Sequence, residues 1–313
     1  MQAQAIKKRR MGKEGDSSGL KRENLGVKIV AHIVMIVAAL LAIFPFIMMI
    51  SSSITSEEAL ARYGYGLIPM EVSFDAYAYL FKAWSTIGKA YFITIATTLV
   101  GTLLHMLITT MMAFGLAWKK TPGRNIIMFL VVFTMLFNGG ATATYVIYST
   151  VFHLNNTFFG LIVPGMLMNA FGVMLFVMYF RSSVSGELME AAELDGANMF
   201  TIYAAIYIPL ALPLIATLSL STAIGFWNDW NNSLYYISME HQELYSIQRL
   251  LKEMQDSVDF IASNPDLGLS TENLPSASVQ MAIAVIGILP ILIAYPFFQK
   301  GFVAGISLGG VKE

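Results

Sequence analysis

Six apolar stretches, each long enough to cross a lipid bilayer, recur along this chain. A helix needs roughly 20 apolar residues to span about 30 Å of hydrocarbon. None of the six contains Asp, Glu, Lys or Arg, each of which would cost about 2.5–3.5 kcal/mol at the bilayer centre. The pattern predicts an all-α membrane protein with six transmembrane helices, near Ile29–Ile50, Ala90–Trp118, Asn125–Tyr148, Phe158–Phe180, Pro209–Asn228 and Ser276–Phe298.

The composition agrees with lipid as the main solvent. Only 12% of the 313 residues are charged, whereas soluble proteins have roughly 25%. The net charge of −1 gives no reason to expect a nucleic-acid partner. The absence of cysteine excludes disulfides and thiolate metal sites. We predict neither a catalytic residue nor a metal site in this chain.

The distribution of Lys and Arg predicts which side each loop faces. With both termini inside, most of the 19 basic residues lie on the inner side, including eight in the N-terminal tail. This excess indicates an N-in, C-in topology. The predicted divisions are a basic cytoplasmic tail (1–28), a transmembrane domain (29–298) and a cytoplasmic C-terminal tail (299–313). The outer side keeps only Arg62, Lys82, Lys89, Arg249 and Lys252.

Three outer segments have features of their own. Asn138-Gly139-Gly140 interrupts the third stretch, which we expect to end early and leave Ala141–Asn156 as an outer re-entrant or interfacial segment. The first outer loop contains an amphipathic stretch, Phe74–Trp84. The long outer loop 229–275 shows helical spacing of apolar residues over Leu244–Phe260, which predicts a surface helix.

The inner loop 183–208 carries the most specific signal. Ser185 is a predicted N-cap, and Gly196 suits the left-handed position at which helices end. Asn198 can cap a second helix, which we expect to stop before Pro209. The loop is therefore predicted to form a compact helix–turn–helix, whose small side chains permit close approach to another protein. Glu190 and Asp195 would offer charged contacts.

This loop resembles the "EAA" signature of permease subunits of binding-protein-dependent ABC importers. The similarity rests on Glu190-Ala191-Ala192, Asp195-Gly196-Ala197, Ile206 and Pro209. The rest of the chain is similar to the MalG-like and LplC-like carbohydrate permeases, apart from Ala143, where relatives often have Pro. The matching landmarks are Gly139-Gly140 through Tyr145, Asn156-Thr157, Trp227-Asn228-Asp229-Trp230 and the run Phe297–Val303.

The resemblance implies a type I ABC importer permease fold in the bacterial cytoplasmic membrane. It implies that the inner loop is the coupling element that docks on the ATPase, with Glu190 pairing with a basic or amide group there. It also implies four kinds of partner: a second permease subunit, two ATPase subunits that bind ATP and Mg, an extracellular solute-binding protein, and membrane lipid. The implied function is sugar or oligosaccharide import by alternating access.

Candidate substrate contacts come from polar and aromatic residues near the outer side. Apolar ring faces can stack on sugar C–H surfaces while amides bond hydroxyls, yet an interfacial aromatic belt has the same sequence pattern. Of the histidines within the spans, His32 and His105 are most simply hydrogen-bonded packing residues, with a proton relay as the alternative. The candidates for the pathway are Asn138, Tyr145, Trp227, Asn228, Asp229 and Trp230.

Other functions are compatible with parts of the pattern. The coupling motif also occurs in permeases for amino acids, peptides and phosphate. A secondary transporter needs ion-coupling residues and an inverted repeat, and neither is evident. An intramembrane enzyme lacks a recognisable pair of reactive residues, and a non-transporting scaffold would not need the coupling loop. Because no Walker A motif occurs, ATP hydrolysis must be supplied by another subunit.

Overall fold

The architecture is almost entirely helical. We analysed a computed structural model that describes residues 17–82, 84–263 and 277–310. The described residues contain no strand, and their only β-type contact is an isolated bridge between Thr55 and Val72. Residues 1–16, 83, 264–276 and 311–313 lie outside this description, and so do the predictions that fall on them.

Thirteen α-helices are described, numbered here in chain order. Two π-helical turns (Ile147–Val151 and Tyr203–Tyr207) and two 3-10 turns (Phe158–Leu161 and Met239–Leu244) occur between them. The helices are α1 (Ser17–Ser53), α2 (Glu57–Tyr63), α3 (Asp75–Lys82), α4 (Trp84–Ala117), α5 (Arg124–Leu136), α6 (Gly140–Val146), α7 (Ala170–Ser183), α8 (Gly186–Leu194), α9 (Met199–Ile202), α10 (Ile208–Trp227), α11 (Asn231–Tyr236), α12 (Ile247–Ser263) and α13 (Ala277–Gly310).

Three helical segments in the described residues are long and apolar enough to cross a membrane: Gly26–Ser53, Trp84–Ala117 and Met199–Trp227. Three further apolar helices are shorter, at Arg124–Leu136, Ala170–Ser183 and Ala277–Ile293. Each of the six overlaps one of the predicted apolar stretches, although most begin or end a few residues outside it. Two helices also extend into the predicted tails, because α1 begins at Ser17 and α13 continues to Gly310.

The fourth apolar stretch, predicted as one membrane span, is not a single continuous helix. After the 3-10 turn at Phe158–Leu161 the chain runs through turns, and α7 begins only at Ala170. Pro164 lacks a backbone donor, and Gly165 adopts a left-handed φ of 71°. The Asn169 Oδ1 atom then accepts hydrogen bonds from the backbone N–H of Phe171 (2.8 Å) and Gly172 (3.2 Å). These three residues stop one helix and start another.

The interruption predicted in the third stretch is confirmed. Helix α5 ends at Leu136, and α6 begins at Gly140, whose φ is 79°. Asn138 Oδ1 accepts a hydrogen bond of 2.9 Å from the Gly140 N–H across the break. The helix predicted over Leu244–Phe260 is confirmed as α12, and the amphipathic stretch Phe74–Trp84 contains α3.

The prediction that the second inner-loop helix stops before Pro209 is wrong. Helix α9 passes through the π-turn Tyr203–Tyr207 into α10 without a break. In this turn the Ile208 N–H bonds to the Tyr203 carbonyl, five residues back. In this wider turn the carbonyls accept hydrogen bonds from N–H groups five residues ahead rather than four. The change in spacing occurs next to Pro209, which has no backbone N–H to donate. The result is one helical rod from Met199 to Trp227.

The inner part of the core lies between α4, α7 and α10. Leu116, Phe176, Phe180 and Ala211 are buried together there. Tyr207 of the π-turn packs edge-on against Phe180, with ring centroids 4.9 Å apart. The apolar side chains of α1, by contrast, are mostly exposed in the single chain. The packed core therefore joins the inner loop to α4, α7 and α10.

Candidate functional site

The inner loop forms a tightly capped helical hairpin, which we call the inner hairpin (residues 185–202). Ser185 Oγ accepts from the Leu188 N–H at 3.3 Å and begins α8. Gly196, with φ 77°, ends it. The Gly196 N–H bonds to Glu193 O and the Ala197 N–H to Ala192 O, both at 3.0 Å. This pair of bonds is the Schellman arrangement that satisfies the last carbonyls of a helix.

The second half of the hairpin has its own cap. Asn198 Oδ1 accepts from the Thr201 backbone N–H at 2.8 Å and from the Thr201 hydroxyl at 3.0 Å. Both N-caps and the turn glycine therefore stand where the sequence predicted them. Because each cap bonds only to residues close in sequence, the hairpin is specified locally.

The residues of the signature divide into a packed group and an exposed group. Ala192, Ala197 and Ile206 pack against the inner core. The remaining signature residues are exposed, and Glu190 also borders the cleft beside α4 and α7: they are Glu190, Ala191, Asp195, Gly196 and, on the adjoining rod, Pro209. Large apolar side chains are exposed beside them, with Leu194 88% and Phe200 67% accessible. Exposed apolar groups of this size next to acidic ones are typical of a protein-binding surface.

Two side-chain contacts attach the hairpin to the core helices. Lys120, just after α4, forms an ion pair of 2.9 Å with Glu193. The Tyr207 hydroxyl donates to the Met189 sulfur at 2.6 Å. A cleft of about 310 Å³ lies between the hairpin and the ends of α4 and α7. The hairpin is thus fixed to the helices on one side and open on the other.

Four of the six outer candidates lie at the other end of the rod, in a group that we call the outer mouth (residues 227–249). Trp227 is buried, and its indole N–H donates to the Gly287 carbonyl of α13 at 2.9 Å. Asn228 is exposed. The Asp229 carboxylate accepts from the N–H groups of Asn231 (3.2 Å) and Asn232 (3.4 Å).

Burial raises the pKa of Asp229 to about 6, and the two backbone donors oppose this shift. The Trp230 ring faces the Lys252 ammonium, which lies 5.6 Å from its centroid. Of the two candidates from the third outer segment, Tyr145 packs against Tyr236 of α11 at 5.6 Å. Asn138 is exposed, and its recorded hydrogen bond is the local one to Gly140.

Comparisons with known proteins agree with this arrangement. A family model described as "Binding-protein-dependent transport system inner membrane component" matches residues 97–230, which include the whole inner hairpin. The chain is 34% identical over 274 residues to the polygalacturonan/rhamnogalacturonan transport system permease protein YtcP of Bacillus subtilis, covering 88% of this chain and 94% of YtcP. The chain belongs to this family of transport-system permeases.

Two further matches extend the comparison. Protein LplC of Bacillus subtilis is 34% identical over 272 residues, covering 87% of this chain and 90% of LplC. A solved bacterial ABC transporter involved in import of the acidic polysaccharide alginate contains a chain that superposes with a TM-score of 0.74. That chain is 30% identical, with 87% of this chain and 95% of that one covered. The predicted membership of the carbohydrate ABC importer permeases is confirmed, and the chain is a transporter component rather than an enzyme.

Several residues that organise this permease were not found from the sequence. The buried Asn232 amide donates to the carbonyls of Leu161 (3.3 Å) and Pro164 (3.0 Å), which fixes the broken fourth stretch to the outer mouth. Thr94 Oγ1 of α4 accepts from the Ile247 N–H at 2.9 Å, where α12 begins. Neither contact has a sequence signal, because each joins distant segments.

Arg249, in the first turn of α12, is a third such residue and is buried. It pairs with Glu253 at 2.6 Å, and its guanidinium lies 4.9 Å from the centre of the Tyr245 ring. Its four-residue spacing from Glu253 was a usable signal. Among the described residues, no group of three or more His, Asp or Glu side chains could hold a metal ion.

Proposed function

We propose that this chain forms half of the translocation pathway of an ATP-driven sugar or oligosaccharide importer in the bacterial cytoplasmic membrane. Six helices cross the membrane, in an N-in, C-in topology: α1, α4, α5, α7, the rod Met199–Trp227 and α13. The excess of Lys and Arg on the inner side supports this orientation. The three shorter helices cross together with the turns and helices next to them.

The observation that carries the proposal is the inner hairpin. It is capped at both ends of α8, it is attached to the core through Ala192 and Ala197, and it leaves Glu190 and Asp195 exposed. A loop that only connected two helices would not need exposed Leu194 and Phe200. We assign this exposed surface to docking on an ATPase subunit, with Glu190 as the main polar contact and Leu194 and Phe200 as apolar anchors.

The rod Met199–Trp227 supports a mechanical route for the coupling. It spans 29 residues, so at 1.5 Å per residue it is about 43 Å long. Its inner end is part of the hairpin, and its outer end is held to α13 by the bond from Trp227 to Gly287. When two ATPase subunits close on ATP and Mg, a displaced hairpin would move the rod. The outer mouth would then open towards the extracellular side.

The partners in this proposal are a second, different permease subunit, two ATPase subunits and an extracellular solute-binding protein. The outer loop 229–275 is the proposed contact for the binding protein. The side chains of Lys252 and Asp256 on α12 are exposed, while Arg249 donates to the Ser233 carbonyl and the Ile247 N–H to Thr94, which holds the helix in place. ATP and Mg bind to the ATPase subunits. The C-terminal residues 299–313 are assigned to the cytoplasmic side.

The proposed cargo is an acidic oligosaccharide. YtcP is named for polygalacturonan and rhamnogalacturonan transport, and the superposed structure is an importer of alginate. The chain carries no Asp or Glu within its six apolar stretches, so those helices present no negative charge to repel uronate groups. The alternative is an ABC permease for a non-sugar solute such as a peptide or amino acid.

A reconstituted importer provides the test. We would purify the chain with its second permease, ATPase and binding protein, and measure ATPase activity and uptake with oligogalacturonides, alginate oligosaccharides, neutral oligosaccharides and peptides. The expected result is stimulation by a saccharide, greatest for an acidic one. Stimulation by a peptide alone would contradict the cargo class. Uptake driven by an ion gradient without any ATPase would instead indicate a secondary transporter.

The assignment of the hairpin needs its own variant. Glu190→Lys is expected to abolish uptake and weaken co-purification of the ATPase, because it places a positive charge on the proposed docking face. Glu240→Lys makes the same change at an exposed site in the outer loop and should retain ATPase binding. Equal ATPase binding by both variants, in complexes that reach the membrane equally well, would contradict the assignment.

A further inference from the structure

The break in the fourth apolar stretch adjoins a cleft within the helical bundle. Non-helical backbone at membrane depth is tolerated only where it is buried in protein or lines a water-filled cavity. Gly165, Met166 and Asn169 of the break border a partly open cleft of about 290 Å³, whose other lining residues belong to α4, α7 and α10. The irregular segment is therefore the wall of a cavity rather than a lipid-facing defect.

His105 of α4 is the one ionisable residue among those bordering this cleft. It lies 12 residues before the inner end of α4, which is about 18 Å along the helix axis and within the roughly 30 Å hydrocarbon layer. Its side chain is 6% exposed. A histidine buried at this depth needs hydrogen-bond partners, because an unpaired polar group in hydrocarbon is costly.

Only one of the two ring nitrogens has such a partner among the described residues. His105 Nδ1 lies 2.7 Å from the Met166 carbonyl oxygen. A carbonyl can only accept, so Nδ1 must carry the proton, and Nε2 of the neutral ring is left as an acceptor. No hydrogen bond to Nε2 occurs within the described part of the chain. The break thus orients the imidazole and leaves its second nitrogen available to a guest.

The remaining groups around the cleft complement that acceptor. Both capping bonds of Asn169 use Oδ1, so its amide N–H groups remain available as donors. Ser221 and Thr222 of α10 bring hydroxyls, and Phe171 and Leu218 are among the apolar walls. One acceptor, amide donors, hydroxyls and apolar walls match a ring with hydroxyl edges and C–H faces. The volume is at the lower end for ligand sites, which suits one sugar unit at a time.

We propose that this cleft is a saccharide subsite on the translocation pathway, in which His105 Nε2 accepts a hydrogen bond from a hydroxyl of the passing sugar. The inference rests on the proposed function, and it places the contact within the bundle rather than at the outer mouth. It also explains the break in the fourth stretch, because in a continuous helix the Met166 carbonyl would accept from the helix backbone and would not be available to the His105 ring.

Two substitutions separate the roles of the two nitrogens. In His105→Asn the short amide can still bond to Met166 O, but nothing replaces Nε2. In His105→Gln the longer amide reaches the position of Nε2 and gives up the bond to Met166. His32→Asn is the matched control, since His32 Nδ1 also bonds a carbonyl, that of Lys28 at 2.6 Å, on an exposed part of α1.

The measurement is sugar transported per ATP in proteoliposomes, with the saccharide that stimulates the unaltered complex most as the probe. We expect His105→Asn to lower this ratio about tenfold, as for loss of one hydrogen bond to the ligand, with basal ATPase activity within about twofold. His105→Gln should keep most of the ratio, and His32→Asn all of it.

The outcomes separate this inference from the proposed function. Normal transport by His105→Asn, whatever His105→Gln does, would overturn the subsite and leave the importer intact. Loss in both variants together with loss of complex assembly would assign His105 to packing and overturn it as well. Loss in both with assembly kept would also overturn it, because the His105→Gln amide reaches the position of Nε2 and should then support transport. Absence of ATP-driven sugar uptake by the unaltered complex would overturn the proposed function itself.

Discussion

Helix ends are capped by nearby residues in the inner hairpin, whereas a helix end on the outer side is capped by a residue that is distant in sequence. In the hairpin, Asn198 caps α9 from three residues away. On the outer side, the carboxylate of Glu57 accepts from the backbone N–H groups of Ala277 (3.1 Å) and Ser278 (3.2 Å) and so caps α13 from 220 residues away or more. The hairpin is a local design, whereas the outer side exists only when distant segments meet.

The difference between local and long-range contacts affects how each region can move. A locally specified hairpin can move as a unit against a partner without losing its shape. An outer mouth built from single long-range bonds can open when a few of them break. The rod Met199–Trp227 joins the two regions, so a change at one end should reach the other. The four variants below act on the hairpin, the mouth, the rod and one carboxyl group, from the largest expected effect to the smallest.

Gly196→Val is expected to abolish most uptake, by tenfold or more. Gly196 has φ 77°, and a β-branched residue in this region costs of order 1–3 kcal/mol, which opposes both bonds of the Schellman turn. Uptake and ATPase co-purification are the measurements. Gly196→Asn is the control, because Asn tolerates this conformation far better and should retain most activity. Similar activity of the two variants would show that the hairpin does not depend on its turn.

Asn232→Leu is expected to destabilise the outer mouth without weakening the binding of the ATPase subunit to the inner hairpin. The change leaves the carbonyls of Leu161 and Pro164 without their shared donor, at a cost of about 1–3 kcal/mol. The check is a lower melting temperature of the purified complex with unchanged ATPase co-purification. Asn231→Leu alters an exposed neighbour and should melt as the unaltered protein does. A loss of ATPase binding in Asn232→Leu would break the distinction between the two regions.

These two variants also mark how far the sequence could predict the molecule. Ser185, Gly196 and Asn198 were found because caps and turns are set by residues next to them. The extent of the break in the fourth stretch was not predicted, because hydropathy alone shows an uninterrupted apolar run from Phe158 to Phe180. Trp227 and Asn232 could not be placed at all, since their partners at Gly287 and Leu161 are remote in sequence. The π-turn that carries the rod past Pro209 has no simple pattern either.

Gly101→Ala tests the rod where it passes α4. A Cβ atom at Gly101 would lie 2.6 Å from the Phe226 ring of α10, so the ring must move, at a cost of about 1–3 kcal/mol for overpacking. We expect a moderate fall in uptake and in melting temperature. Gly115→Ala, in the same helix with nothing within 4 Å, should be neutral. Recovery in the double variant Gly101→Ala/Phe226→Leu would assign the effect to this contact, and an unaltered Gly101→Ala protein would mean that the two helices do not need this close approach.

Asp229→Asn should have the smallest effect, visible only as a change in pH dependence. Burial raises the pKa of Asp229 to about 6 in the folded protein, against about 3.9 when unfolded. Between these values the folded state binds the extra proton, so this group's contribution to stability falls as pH rises from about 4 to 6 and is constant above that. Asparagine keeps an oxygen to accept from Asn231 and Asn232 and carries no charge.

Between pH 4 and 6 the melting temperature of Asp229→Asn should therefore fall less than that of the unaltered complex, with a difference of a few degrees at most. Asp256→Asn, at an exposed site on α12, is the control, and its melting temperature should fall with pH as much as that of the unaltered complex. If the melting temperatures of Asp229→Asn and the unaltered complex run parallel from pH 4 to 7, the carboxyl group is not desolvated. The outer mouth would then already be open to water in the assembled importer, and its resting state would differ from the closed arrangement of the single chain.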